Sequence, residues 1–146
     1  MTTRESAFAA LFAKLQTATW GSGQTWAYSS RRVALFNQTP NQPALYLVAH
    51  DELIKQRTGG DYVQTWKATA LIYHQAGAVE TAIPNQLDNA ILDAIFALFA
   101  PDNGFTNKFT LGGLVHHCFI EGQIRKIGGD LDGQAMIVVP ITMLIP

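Results

Sequence analysis

The sequence predicts an α+β domain: an antiparallel or mixed sheet of about five strands, with two main helices packed on one of its faces. Three observations lead there. The run DYVQTWKATALIYHQ, Asp61 to Gln75, alternates along its length, and Gly59-Gly60 and Ala76-Gly77 bound it. Tyr62, Trp66, Ala68, Ala70 and Ile72 fall on one face, and Val63, Thr65, Lys67, Thr69 and Leu71 on the other, as in a strand buried on one side. Two other segments carry apolar residues at helical spacing, Phe8, Leu11, Phe12 and Leu15 in the first and Leu87, Ile91, Ile95 and Leu98 in the second. Ala68 and Ala70 are small residues in mid-strand, which lets a helix approach the sheet closely.

In chain order, Thr2-Thr3-Arg4-Glu5 has the T-x-x-E form of a capping box, with Thr2 as cap, and opens a helix that ends near Thr17. The segment WGSGQ, Trp20 to Gln24, is a loop by composition. Arg31 to Asn37 reads as a short strand, QTPNQP (Gln38 to Pro43) as a turn-rich break, and Ala44 to His50 as a second strand. Asp51 to Gly60 mixes charges, ends in Gly-Gly and reads as an exposed hairpin arm leading into the Asp61 strand. These three strands make an antiparallel meander.

The second helix opens at Pro84-Asn85, with Asn85 as cap, and stops at Pro101. Leu114 to Lys126 and Gln134 to Ile145 read as the last two strands, joined by GGDLDG at Gly128 to Gly133. Pro140 lacks a ladder donor and favours an edge position or a bulge. No internal repeat, low-complexity tract or linker divides the chain, so 1–146 reads as one domain.

Composition narrows the function classes. Of the 146 residues 48% are apolar and 14% charged, against about 25% charged in a typical soluble domain. Surface covered in an oligomer accounts for that deficit, and so does a large core. The net charge of −1 carries none of the basic excess of a nucleic-acid reader. Cys118 is the only cysteine, so no internal disulfide forms. Arg4, Glu5 and Lys14 make the N-terminus a poor signal peptide, and no apolar run reaches the ~18 residues that span a membrane.

No catalytic, cofactor-binding or metal site emerges. His116, His117 and Cys118 are ligand types, but strand neighbours point to opposite faces, and His116 with Cys118 gives too few ligands for zinc; His50 and His74 lie in other strands. Asp130 and Asp132 sit in a hairpin turn that lacks the oxygen spacing of a calcium loop. Asp51-Glu52 read as a solvated loop face. Ser29 and Ser30 have no local His or Asp, and GSG at Gly21 to Gly23 does not lead a strand into a helix. The basic doublets Arg31-Arg32 and Arg125-Lys126 split across strand faces.

The candidate residues are instead ones suited to contact with another molecule: Trp20, Trp26, Leu53, Ile54, Arg57, Lys67 and Phe96. Trp20 and Trp26 flank a Gly/Ser loop, where they serve as interface anchors or pin the loop to the first helix. Leu53 and Ile54 are apolar in a solvated arm that also carries Arg57. Phe96 lies opposite its helix's apolar stripe.

The order of these elements, with RRVALFNQTPNQPALYL, YVQTWKATALIYHQAG, NQLDNAILDAIFALF and GQIRKIGGDLDGQAMIVVPITMLI, resembles the tail terminator (tail completion) proteins of long-tailed bacteriophages. The closest points are Arg32 to Leu45 and the closing Gly-rich hairpin. The resemblance implies a structural virion protein at the head-proximal end of the tail, assembled in the host cytoplasm. It implies a homo-hexameric ring that caps the tail tube protein, stops its polymerisation and presents a surface to the head-completion connector protein. DNA passes through the channel without sequence-specific binding, and there is no enzyme activity, cofactor or membrane. A head-completion or neck adaptor ring protein is the alternative; a small metal- or ligand-binding domain or enzyme using His116 and Cys118, or a plain interaction domain, are the others.

Overall fold

The computed structural model describes residues 2–39, 41–75, 84–102, 105–127 and 134–146, without the side chains of 84 and 85. The chain is α+β. Helix α1 (Arg4–Gln16) precedes the short strand β1 (Tyr28–Ser30), a single 3-10 turn (Phe36–Gln38), and the long strands β2 (Ala44–Gln56) and β3 (Tyr62–Gln75). Helix α2 (Pro84–Leu98) and strands β4 (His117–Ile120), β5 (Arg125–Ile127) and β6 (Gln134–Ile145) follow. Among the described residues six strands form one mixed sheet, five of them in the order β1-β2-β3-β6-β4, and the short β5 also pairs with β6.

β3 is the centre of the sheet. It pairs antiparallel with β2 on one side and, from Gln64 to Gln75, with β6 on the other. The register brings Leu45, Ile72 and Ile137 side by side, then Leu47, Ala70 and Val139, then Ala68 and Ile141, then Trp66 and Met143. These side chains form one buried cluster with Ala7, Phe8, Leu11 and Leu15 of α1 and Ile91, Leu92 and Ile95 of α2. Fully burying a Leu, Ile or Phe is worth ~1.5–3 kcal/mol, so this cluster is the main source of stability. The opposite face holds a smaller cluster at one end, Ala44, Tyr46 and Tyr73, covered by Ala34 and Phe36.

Several boundaries differ from expectation. The cap of α1 is Thr3, whose hydroxyl accepts from the Ser6 N–H while Ser6 Oγ accepts from the Thr3 N–H. Thr2 instead donates to the Leu114 carbonyl, and Glu5 is drawn outward to Arg31. The expected strand at Arg31 to Asn37 is not one. The strand is Tyr28–Ser30, and it runs parallel to β2, so the meander is replaced by a crossover. The 31–39 segment folds over the second face: Tyr73 Oη donates to the Ala34 carbonyl at 3.1 Å, and Thr39 Oγ1 lies 2.8 Å from Tyr46 Oη.

The expected strand Leu114 to Lys126 is two short strands, because Pro140 interrupts their partner. β4 pairs with Ile141 to Leu144 and β5 with Met136 to Val138. Pro140 lies inside the sheet, not at an edge. Its carbonyl accepts from Glu121 N–H, so its donorless nitrogen points to the same side, into the gap between β4 and β5. Gly122 crosses that gap with φ +120°, and a Cβ there would lie 3.1 Å from Pro140 Cγ. The hairpin expected at Gly128 to Gly133, with Asp130 and Asp132, and the Asn85 cap lie outside what is described. Among the described residues no helix is long and apolar enough to cross a membrane.

Candidate functional site

The most distinctive surface is the outer end of the β2–β3 hairpin. β2 continues to Gln56 and pairs with Tyr62 to Trp66, so most of the arm expected at Asp51 to Gly60 is ordered strand, closed by a turn in which Arg57 N–H donates to Asp61 O at 2.6 Å. Gly59 and Gly60, at φ +103° and +93°, supply the left-handed backbone that this turn requires. Every residue from Ala49 to Tyr62 is exposed. Among the described residues, no strand pairs with β2 beyond Tyr46 on its outer edge, nor with Tyr62 and Val63 on the β6 side.

A β-bulge between Ala49 and Glu52 sets which side chains face where. It adds one residue to β2 and reverses its phase. Beyond it, Leu53 pairs with Thr65 and Lys55 with Val63 on one face, while Ile54 pairs with Gln64 and Gln56 with Tyr62 on the other. Each face of the arm therefore carries exposed large apolar groups, Leu53 (59% exposed) on the first and Ile54 (47%) and Tyr62 (57%) on the second.

The arm is anchored at its root. Arg4 at the start of α1 makes two hydrogen bonds to the Glu52 carboxylate, 2.7 and 3.0 Å, and a third to Gln64 Oε1. The hydrogen bonds to Arg4 hold the Glu52 carboxyl below the usual carboxylate range. The Arg4 guanidinium lies 5.1 Å over the Trp66 ring, which stacks at 6.3 Å on Phe8. A groove of about 710 Å³ opens beside this root, lined by Arg4, Gln64, Trp66, Leu114, Ile145 and Pro146.

The other interface candidates divide. Phe96 is 51% exposed, and Arg57 and Lys67 are exposed. Lys67 lies on the open sheet face in a depression shared with His50, Asp51 and Glu121. Trp20 is only 5% exposed and joins the core, while Trp26 packs edge-on against it at 4.8 Å and donates to the Leu15 carbonyl at 2.8 Å. The pair thus pins the Gly/Ser loop to α1 and leaves Trp20 almost no surface for another molecule.

The metal-type residues do not converge. Cys118 faces the core with no exposure, and burial pushes its thiol up to about 12. A thiol held protonated is neither a ready nucleophile nor a ready ligand. His116 lies outside β4, exposed, with Lys108 Nζ 2.7 Å from its Nε2, and His117 Nδ1 accepts from the Phe109 N–H. Among the described residues no group of three or more His, Cys, Asp or Glu is placed to hold a metal ion. Ser29 Oγ accepts from Gln16 and Ser30 Oγ from the Arg32 N–H, which are structural roles.

One buried feature was missed from the sequence. His74 near the end of β3 and Asp88 in α2 are both fully buried, and His74 Nε2 meets Asp88 Oδ1. Among the described residues His74 Nδ1 and Asp88 Oδ2 have no partner. The signal was present: His74 is in phase with Trp66, Ala68, Ala70 and Ile72, and Asp88 lies one turn before Ile91 and Leu92 on the apolar stripe. The pair joins α2 to the end of the sheet opposite the arm. No protein-family model matches the chain, and no curated protein matches it at a significant level.

Proposed function

We propose that this chain is a structural virion protein of the tail terminator class, a ring subunit that caps a tail tube, stops its growth and joins it to the head connector. The class comes from the sequence resemblance in Arg32 to Leu45 and in the final strands. The structural observation that supports it is the arm, an ordered ribbon that leaves the body of the fold with exposed apolar groups on both faces. Apolar side chains on a ribbon with no core of its own favour burial against another molecule. A ring subunit has two lateral and two axial contact surfaces, which accords with the low charged fraction of 14%. The net charge of −1 suits a channel through which DNA slides without being gripped.

The test is assembly. Light scattering and negative-stain imaging of the purified chain, alone and with reconstituted tail tubes, are expected to show six-fold rings, binding at tube ends and arrest of elongation. A chain that neither forms rings nor binds tube ends refutes the reading.

A further inference from the structure

Away from the arm, an amine and an imidazole are held against each other in an open cleft. Lys108 Nζ lies 2.7 Å from His116 Nε2. A lysine ammonium has only donors, so His116 Nε2 accepts and the imidazole proton sits on Nδ1. A cleft of about 400 Å³ opens on the pair, lined also by Asp102, Thr106, Thr110 and Val115. Lys108 is half-buried and His116 exposed.

The fold holds both residues in place. The His116 N–H donates to the Leu144 carbonyl of β6 at 2.8 Å, and the Lys108 carbonyl accepts from the Asp102 N–H at 2.9 Å. Next to them, the Phe109 carbonyl accepts from the Cys118 N–H and the Phe109 N–H donates to His117 Nδ1, so the two segments run side by side. The Asp102 carboxylate is turned to the Thr110 N–H and hydroxyl. Among the described residues no ion pair engages Lys108.

The other four lysines are placed differently. Lys14 Nζ lies 5.7 Å from the centroid of the Phe109 ring, and Lys126 Nζ donates to Asn89 Oδ1 at 3.0 Å. Lys55 and Lys67 are exposed. Among the described residues only Lys108 is bonded to an imidazole, a group able to take its proton as it reacts.

We infer that Lys108 is a site of covalent acylation by small, uncharged activated acyl donors of the ester or thioester class, with His116 as its base. His116 Nε2 takes a proton from the ammonium, and the freed lone pair of Nζ attacks the acyl carbon. The bond from that carbon to oxygen or sulfur breaks. The leaving group departs with its electron pair and takes up a second Nζ proton as the amide forms, and His116 returns its proton to water. The separation of the pair lies within the ~2.6–3.2 Å reach that general-base transfer requires. An uncharged donor suits a cleft lined by one carboxylate and one ammonium. The inference is independent of the ring reading.

Brief treatment of the native protein with limiting p-nitrophenyl acetate, followed by peptide mass spectrometry, tests it. Within one sample, acetylation at Lys108 is expected to exceed that at Lys55 and Lys67 by about ten-fold or more. In His116→Gln the amide oxygen still accepts from Nζ but takes no proton, so the Lys108 rate is expected to fall to that of the exposed lysines. His116 is exposed, so the variant is expected to fold, with circular dichroism as the check. Lys108 acetylated no faster than Lys55 and Lys67 overturns the inference on the native protein alone. An undiminished Lys108 rate in His116→Gln also overturns it, since a merely structural bond survives that change.

Discussion

Removing the Asp88 carboxylate should be among the most damaging single changes in α2, although it deletes only a few atoms. Asp88 and His74 are both fully buried, and among the described residues the hydrogen bond between them is the only one their side chains make. In Asp88→Ala His74 is left in the interior with no side-chain partner among the described residues. Breaking a buried pair from one side costs about 3–5 kcal/mol, and an unsatisfied buried polar group alone about 1–3. We expect about 3 kcal/mol. With a urea m-value of about 2 kcal/mol/M for a chain of this size, the midpoint falls by roughly 1.5 M. Asp88→Asn keeps an acceptor for His74 and should lose less. His74→Leu with Asp88→Ala removes both polar groups and should return to within about 1 kcal/mol of the parent, because the native pair leaves two atoms unsatisfied. Equilibrium urea unfolding of the parent, Asp88→Ala, His74→Leu and the double variant closes the cycle, with Asp88→Asn as a fifth protein. A loss below about 1 kcal/mol for Asp88→Ala, or strictly additive single effects in the double variant, would show that the pair is not the coupled buried unit described here.

Three further outcomes follow. Cys118 holds its proton to about 12 when folded, while the unfolded thiol releases it near 9. The folded state thus binds the extra proton between those values, and its contribution to stability is full below about 9 and falls by about 1.4 kcal/mol per pH unit above it. Cys118→Ala should flatten that part of the stability–pH curve, read by urea midpoints from pH 8 to 10.5. Thr3→Ala, which removes the hydroxyl accepting from Ser6, should cost about 1 kcal/mol, seen as a lower Tm. Lys67→Glu, on an exposed side chain, should change stability by no more than ~0.5 kcal/mol while weakening ring assembly. Unchanged assembly removes the open face around Lys67 from the interface.

What the sequence revealed follows what local periodicity encodes. The stripes of α1 and α2 and the alternation of β3 were legible because each element is buried on one side for most of its length. The outer half of β2 was not, because Glu52 to Gln56 contact no core and so alternate in no apolar pattern. Their strand conformation comes from pairing with Tyr62 to Trp66. Val33 to Phe36 look like a strand by composition, but Ala34 and Phe36 cover the Tyr46–Tyr73 cluster while Val33 and Leu35 stay exposed. Trp20 sits in a loop by composition and in the core by tertiary contact. Of the candidate surface, Leu53, Ile54, Arg57 and Phe96 were legible as apolar or charged residues out of place. The bulge that sends Leu53 and Ile54 to opposite faces was not, since an extra residue in one strand shows only against its partner.

That bulge bears on the energetics of the assembly proposed above. A disordered loop of this length would lose about 1–2 kcal/mol of backbone entropy per residue on docking. Here most of that ordering is already made in the free chain, by the ladder from Glu52 to Gln56 and by Arg4, Gln64 and Trp66 at the root. The same rigidity fixes the direction of the arm. A ribbon held by the bulge and by Arg4 presents its neighbour at one angle, and a heterologous contact closes into a ring of defined size only if that angle is fixed. The Arg4–Glu52 link is exposed and worth little to folding, and in the ring proposed above it would act by fixing the direction of the arm.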